Sequence, residues 1–273
     1  MSNKILSSVG SFIGRGNGRN HKLIKELSEK INCDGIEFLV LTPWQENIIE
    51  ITKELQDLSK PVPIFHFQKE IGELISRNEG NDTEQAIELF KKSCEAAKII
   101  NSKQIVLHLW GGTGSDYNIE HNIETCEYLN IIAKKNELLL SIENIPCAAS
   151  SPIKYLKKLS KLFSEVYFTF DTKFAQFHNE MNESLFGNLK ILWIEKRINH
   201  IHINDYSGKY KEWKNLRGKQ IGEGNVDFKL LFEHLRNINY PGTITMEAPG
   251  FYNNVLNINR INESINFIRD RLK

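Results

Sequence analysis

The chain has 273 residues, with 35 basic and 34 acidic side chains and a formal net charge of +1. A balance this near zero supplies no overall field to draw in nucleic acid or an anionic membrane. The length suits one large domain with a sizeable core and is short for two. Cys33, Cys94, Cys126 and Cys147 lack metal-ribbon spacing and read as reduced thiols. The start of the chain has no apolar run followed by a small-residue cleavage site, and no stretch approaches membrane-spanning length. A soluble, cytoplasmic protein is expected.

In chain order, a strand-like start at Ile5–Val9 leads into a glycine-rich loop, residues 10–19, carrying Arg15 and Arg19. Backbone amides and two guanidiniums there suit a phosphate, and flexible-turn composition explains the loop equally well. Periodicity predicts a helix over His21–Asn32, a strand over Gly35–Val40 and a helix over Gln45–Leu58. A third strand, Pro61–Phe67, carries His66; helix Thr83–Ile100 precedes a fourth strand, Gln104–Trp110, carrying His108. The alternation continues with helix Ile119–Lys135, strand Leu138–Asn144, helix Ile153–Leu162, strand Val166–Thr172 and a helix near Leu185–Ile194. It closes with strand Arg197–Asp205, helix Phe228–Asn237, strand Thr243–Ala248 and helix Ile258–Leu272.

Eight strand-helix units over this length predict an α/β fold, a single-domain (β/α)8 TIM barrel spanning residues 1–273. Side-chain parity agrees. Glu143, Asp171, His202 and Glu247 share a strand face with Ser141, Thr169, His200 and Thr245, and the opposite face carries Ile142, Phe170, Ile201 and Met246.

Barrel active sites form where the C-terminal strand ends converge, and those ends carry His66, His108, Glu143, Asp171, His202 and Glu247. Glu143, Asp171 and His202 follow one another at intervals of one strand-helix unit, and Glu247 comes after a longer loop holding Arg217. Taken singly, a strand-end acid is more often a helix cap, and a strand-end histidine more often a satisfied core group. Six together argue for a site. Oxygen-rich ligands with one imidazole suit one divalent ion, Mn²⁺, Mg²⁺, Co²⁺ or Zn²⁺, without choosing among them. Trp110 and Trp213 suit either ordinary packing or a wall for a sugar ring.

The segments Ser141-Ile-Glu-Asn144, Phe170-Asp-Thr172, His200-Ile-His-Ile-Asn-Asp205, Gly222-Glu-Gly-Asn-Val-Asp-Phe228 and Met246-Glu247 together resemble the xylose isomerase-like barrels. That family includes sugar and sugar-phosphate isomerases and epimerases and, further off, endonuclease IV. The resemblance implies that Glu143, Asp171, His202 and Glu247 hold the metal, and that Glu143 and Glu247 face each other across the substrate as the catalytic proton-transfer pair. It further implies that His108 and Arg217 bind substrate oxygens; His66, beside them at a strand end, is placed with the substrate-binding residues. The activity implied is sugar or sugar-phosphate isomerisation or epimerisation through an ene-diolate.

Two departures separate the chain from endonuclease IV, whose relatives carry a histidine where this sequence has Phe174 and an Asp-Arg-His run where it has Leu216-Arg217-Gly218. The alternatives are an endonuclease IV-like DNA-repair phosphodiesterase, a dehydratase or lyase of the same family, and a sugar-binding barrel without turnover. A small carbohydrate or its phosphate is the expected partner, with no role for nucleic acid or membrane; a homo-oligomer is compatible with the sequence.

Overall fold

A computed structural model describes residues 3–273. Eight short parallel strands follow the chain: β1 (Ile5–Ser8), β2 (Gly35–Leu39), β3 (Ile64–His66), β4 (Gln104–Leu107), β5 (Leu139–Glu143), β6 (Tyr167–Asp171), β7 (Ile198–Ile203) and β8 (Thr243–Met246). They pair in that order into a closed barrel, β1 bonding to both β2 and β8, with helices between successive strands. No helix among the described residues is long and apolar enough to cross a membrane. All four cysteines are buried and unbridged.

Packing divides the chain into two compact units. The first runs to Glu37 and resumes with Leu58–Pro61 and Phe170–Lys273; the second comprises Phe38–Asp57 and Val62–Thr169.

In the first unit β7 pairs with β8 so that His200 lies beside Thr243 and His202 beside Thr245, while Ile201 and Ile203 lie beside Ile244 and Met246. The period of two therefore sorts polar from apolar faces as expected. Aromatic side chains of the same unit also pair: Phe170 meets Trp193 of helix Lys190–Ile194 edge-on at 5.5 Å, and Phe267 meets Phe228 at 6.0 Å. Burying each such side chain stabilises the fold by about 1.5–3 kcal/mol.

In the second unit β3, β4, β5 and the start of β6 pair in register. Phe38 stacks on Phe65 at 5.0 Å, and Phe67 meets Phe90 of helix Asp82–Ile99 at the same distance. Helix Pro152–Leu162 starts on a proline, whose missing N–H costs nothing in the first turn, and buries Ile153, Leu156 and Leu159 along one stripe.

The structure departs from the sequence reading in three places. Glu70–Arg77 is a helix, ended by Asn78 in the left-handed region at φ 51°. Its signal, Ile71, Leu74 and Ile75 at helical spacing before a residue that tolerates such a φ, was present but short. The helix expected near Leu185–Ile194 is instead two pieces, Met181–Phe186 and Lys190–Ile194, broken at Gly187, and a further short helix, Thr172–Phe177, precedes them before left-handed Asn179. Several strands are also shorter than expected, so His108 and Glu247 are the first residues beyond β4 and β8. Glu247 N–H still donates to Ile203 O at 2.9 Å, which carries the strand's side-chain parity one residue further.

Candidate active site

In the first unit Asp171, at the end of β6, does two things with one carboxylate. Its Oδ1 accepts the Phe174 N–H at 2.7 Å, capping helix Thr172–Phe177, and its Oδ2 accepts from Asn204 Nδ2 at 3.1 Å. The helix-cap role and the site role coexist. Asn204 Nδ2 also donates to Glu247 Oε2 at 3.3 Å, so one amide ties two acids together. Asn204 is held in turn by Thr172, whose Oγ1 donates to Asn204 O at 2.6 Å. His202 is fully buried and lies with Nδ1 3.7 Å from Glu247 Oε2, and Glu247 keeps a small exposed edge. Lys173 Nζ stands 3.9 Å from Asp171 Oδ2 and 4.1 Å from the centre of the Phe174 ring.

Below these groups lies a residue the sequence reading passed over. Glu37, in the middle of β2 and fully buried, accepts from His200 Nε2 at 2.7 Å and Thr245 Oγ1 at 2.6 Å. His202 Nε2 hydrogen-bonds the same oxygen at 3.1 Å, with the second oxygen 2.9 Å away but off the N–H line. Burial works against its charge, yet the adjacent His202 and His200 imidazoles and their hydrogen bonds hold the Glu37 carboxyl well below the usual carboxylate range. Burial pushes the His200 imidazole down, against the pull of Glu37. The available signal was a lone acid between Ile36 and Phe38 in an apolar strand.

The Gly222–Phe228 stretch is organised by Asp205, whose carboxylate accepts backbone N–H groups from Tyr206, Gly222, Gly224 and Val226 at 2.8–3.0 Å. Paired backbone bonds between Asp205 and Lys219 close the loop base. Arg217 is exposed on this loop, next to Gly218, where an added Cβ would meet Asn204 and Pro249 at van der Waals range.

In the second unit His66, His108 and Glu143 come together. His108 Nε2 is 2.6 Å and His66 Nε2 3.3 Å from Glu143 Oε2. His66 Nδ1 lies 3.0 Å from Phe67 O, an acceptor, so that nitrogen carries a proton. Burial lowers the His108 pKa to about 4, Glu143 only partly opposing it. At neutral pH His108 is therefore uncharged beside Glu143. Its backbone is pinned by Gly72, where an added Cβ would sit 2.2 Å from His108 O. Alongside, Ser141 and Thr169 exchange a hydrogen bond of 2.7 Å, as their shared face predicts.

In the glycine-rich loop four of the backbone amides are already engaged. The N–H groups of Gly14, Asn17, Gly18 and Arg19 bond to oxygens within the loop itself. Gly16 is needed because a Cβ there would lie 1.9 Å from Asn254 O. Trp110 is fully buried, donating to Pro146 O at 3.2 Å and packed on Tyr155. Trp213 is half exposed, edge-on to Phe177 at 4.9 Å.

The first-unit donor set fits a metal. Asp171, His202 and Glu247 place ligand atoms within 4.8 Å of one another, and two carboxylates with an imidazole nitrogen in a largely dry site call for a cation. His66, His108 and Glu143 satisfy the same distance limit among themselves.

Comparisons place the chain among known proteins. It is 24% identical over 254 residues to the uncharacterised protein MJ1311 of Methanocaldococcus jannaschii, covering 89% of this chain and 82% of that one. Among solved structures it resembles the IolI protein determined with a bound zinc atom, with a TM-score of 0.73 at 18% identity over 98% of both chains. It also resembles D-allulose 3-epimerase from Methylomonas sp. in complex with D-allulose, with a TM-score of 0.72 at 16% identity over 98% of this chain and 97% of the other. A D-tagatose 3-epimerase-like protein gives 0.71 at 22% identity, over 98% and 97%. At such identities the likeness is one of fold. The family model for xylose isomerase-like TIM barrels matches residues 26–271, and the chain belongs to that family.

Proposed function

We propose that the protein is a divalent-metal-dependent isomerase or epimerase of a small sugar or sugar phosphate. The observation that carries this reading is the convergence of Asp171, His202 and Glu247, with Asn204 bridging the two acids. In this reading Glu143 is the fourth ligand, as the family's residue order suggests. The zinc bound by IolI and the ketoses in the names of the epimerases of this fold support the same assignment.

A divalent ion held there supplies Lewis-acid polarisation of a carbonyl and its neighbouring hydroxyl. The chain's own groups do the rest. One of Glu143 and Glu247 takes the proton from the carbon beside the carbonyl, giving an ene-diolate, and the other returns a proton. Return to the opposite face of the same carbon gives the epimer; return to the neighbouring carbon gives the aldose or ketose isomer. His108, uncharged and 2.6 Å from Glu143, offers contact to a substrate oxygen, with His66 beside it. Arg217 on the Asp205-tied loop counters the charge that develops on the ene-diolate oxygens. A same-family dehydratase would begin with the same proton removal and differ in what leaves.

The test combines metal content with proton exchange. About one divalent ion per chain after loading with Mn²⁺ or Zn²⁺, lost in Glu143→Ala, and deuterium entering a ketose from D₂O are the expected results. No ion and no exchange with any ketose or ketose phosphate would overturn the proposal. The second reading, an endonuclease IV-like phosphodiesterase, is favoured by one observation, the His66, His108 and Glu143 group with ion-holding spacing. It predicts about three zinc ions and incision of abasic DNA.

A further inference from the structure

Glu37 hydrogen-bonds His202, and it meets His202 on the side away from Glu247. The imidazole has two nitrogens with opposite assignments. Nε2 faces the Glu37 carboxylate at 2.9 and 3.1 Å, and Nδ1 faces Glu247 Oε2 at 3.7 Å. A neutral imidazole carries one proton, and a metal takes the nitrogen that lacks it. We propose that Glu37 is a positioning residue that holds the His202 proton on Nε2 and so keeps Nδ1 as the ligating nitrogen. This inference rests on the metal-dependent reading above.

The carboxylate is itself held in place. Thr245 Oγ1 donates to Glu37 Oε2 at 2.6 Å and His200 Nε2 approaches it at 2.7 Å. His200 Nδ1 meets Thr243 Oγ1 at 2.7 Å, so His200 donates to Glu37 and accepts from Thr243. The strand register builds this arrangement: His200 stands beside Thr243 and His202 beside Thr245, on the one β7 face where both imidazoles point. Three donors converge on one Glu37 oxygen, Oε2, and engage it as an acceptor from the protein. This also explains why β7 carries two histidines on one face. His202 is the ligand, and His200 orients the carboxylate that orients it. Partners that fix a ligating histidine in this way commonly change metal affinity 10- to 100-fold when removed.

The test reads tautomer and affinity separately. Long-range ¹H–¹⁵N correlation spectra of the ¹⁵N-histidine-labelled, metal-free protein report which His202 nitrogen is protonated. The expected result is protonated Nε2 and unprotonated Nδ1 in the wild type, and a mixture of tautomers in Glu37→Gln. Titration with Mn²⁺ or Zn²⁺ alone should show Glu37→Gln weaker than wild type by about 10- to 100-fold. Thr245→Val, which keeps the carboxylate and removes only its hydroxyl donor, should fall between the two and serves if Glu37→Gln does not fold. A protonated Nδ1 in the wild type overturns the proposal. So does an affinity in Glu37→Gln or Thr245→Val equal to the wild type while Glu247→Gln weakens binding. A wild type that binds neither ion overturns the metal reading itself, and is told apart because Glu247→Gln then changes nothing either.

Discussion

The two units hold their strand-end site carboxylates in different ways. In the first, every buried carboxylate is met by donors that belong to the scaffold: Asp205 by four backbone N–H groups, Asp171 by a helix N-terminus and Asn204, Glu37 by two imidazoles and a threonine. In the second, Glu143 is met by two histidines whose own pairing depends on protonation. The first arrangement fixes negative charge rigidly, as a cation site needs. The second leaves its carboxylate among groups that exchange protons, as an acid-base residue needs.

Four outcomes test that contrast. The largest effect is expected from Glu143→Gln, which keeps shape and removes proton-carrying capacity: kcat should fall about 10³-fold, within the usual range for a general acid or base. Steady-state kinetics decide it, and a loss under tenfold would move Glu143 out of the proton-transfer role. Next comes Asp205→Ala, which strips four backbone donors of their acceptor and should destabilise the fold by about 3 kcal/mol in urea unfolding. If Asp205→Ala were no more destabilising than Glu143→Gln, the rigid-versus-labile contrast would be wrong.

The third outcome concerns pH. Because His108 titrates near 4 in the folded state and near 6.5 when unfolded, the unfolded chain binds the extra proton first. Stability of the metal-free protein should therefore fall as pH drops from about 6.5 to about 4, by at most about 1.4 kcal/mol per pH unit from this group. Unfolding curves across that window should be flatter for His108→Gln; identical slopes would remove His108 as the cause. The smallest effect is expected from Arg217→Ala, about a tenfold rise in KM with stability unchanged, since the side chain is exposed. A shift in stability without a change in KM would make it a scaffold residue.

Much of the fold was legible in the sequence because parallel-barrel strands and their helices obey two different periods. The strand faces of Ser141 with Glu143 and of His200 with His202 followed from alternation alone, and the bonds Ser141–Thr169 and His200–Thr243 have the partners that alternation implies. The short helix Glu70–Arg77 and the broken helices after Asp171 were harder, because eight residues or fewer hold too little period to outweigh local turn signals.

Of the site, the sequence alone determined which residue types stand at the strand ends: His66, His108, Glu143, Asp171, His202 and Glu247, each at a position that spacing and parity define. The tertiary structure alone decided who holds whom. That Glu37 meets His202, that Asn204 joins Asp171 to Glu247, and that Asp205 gathers the glycine turn are contacts between residues 17 to 165 positions apart. Chain periodicity carries no record of such distances. They are fixed by strand register and by the requirement that each buried carboxylate find its donors.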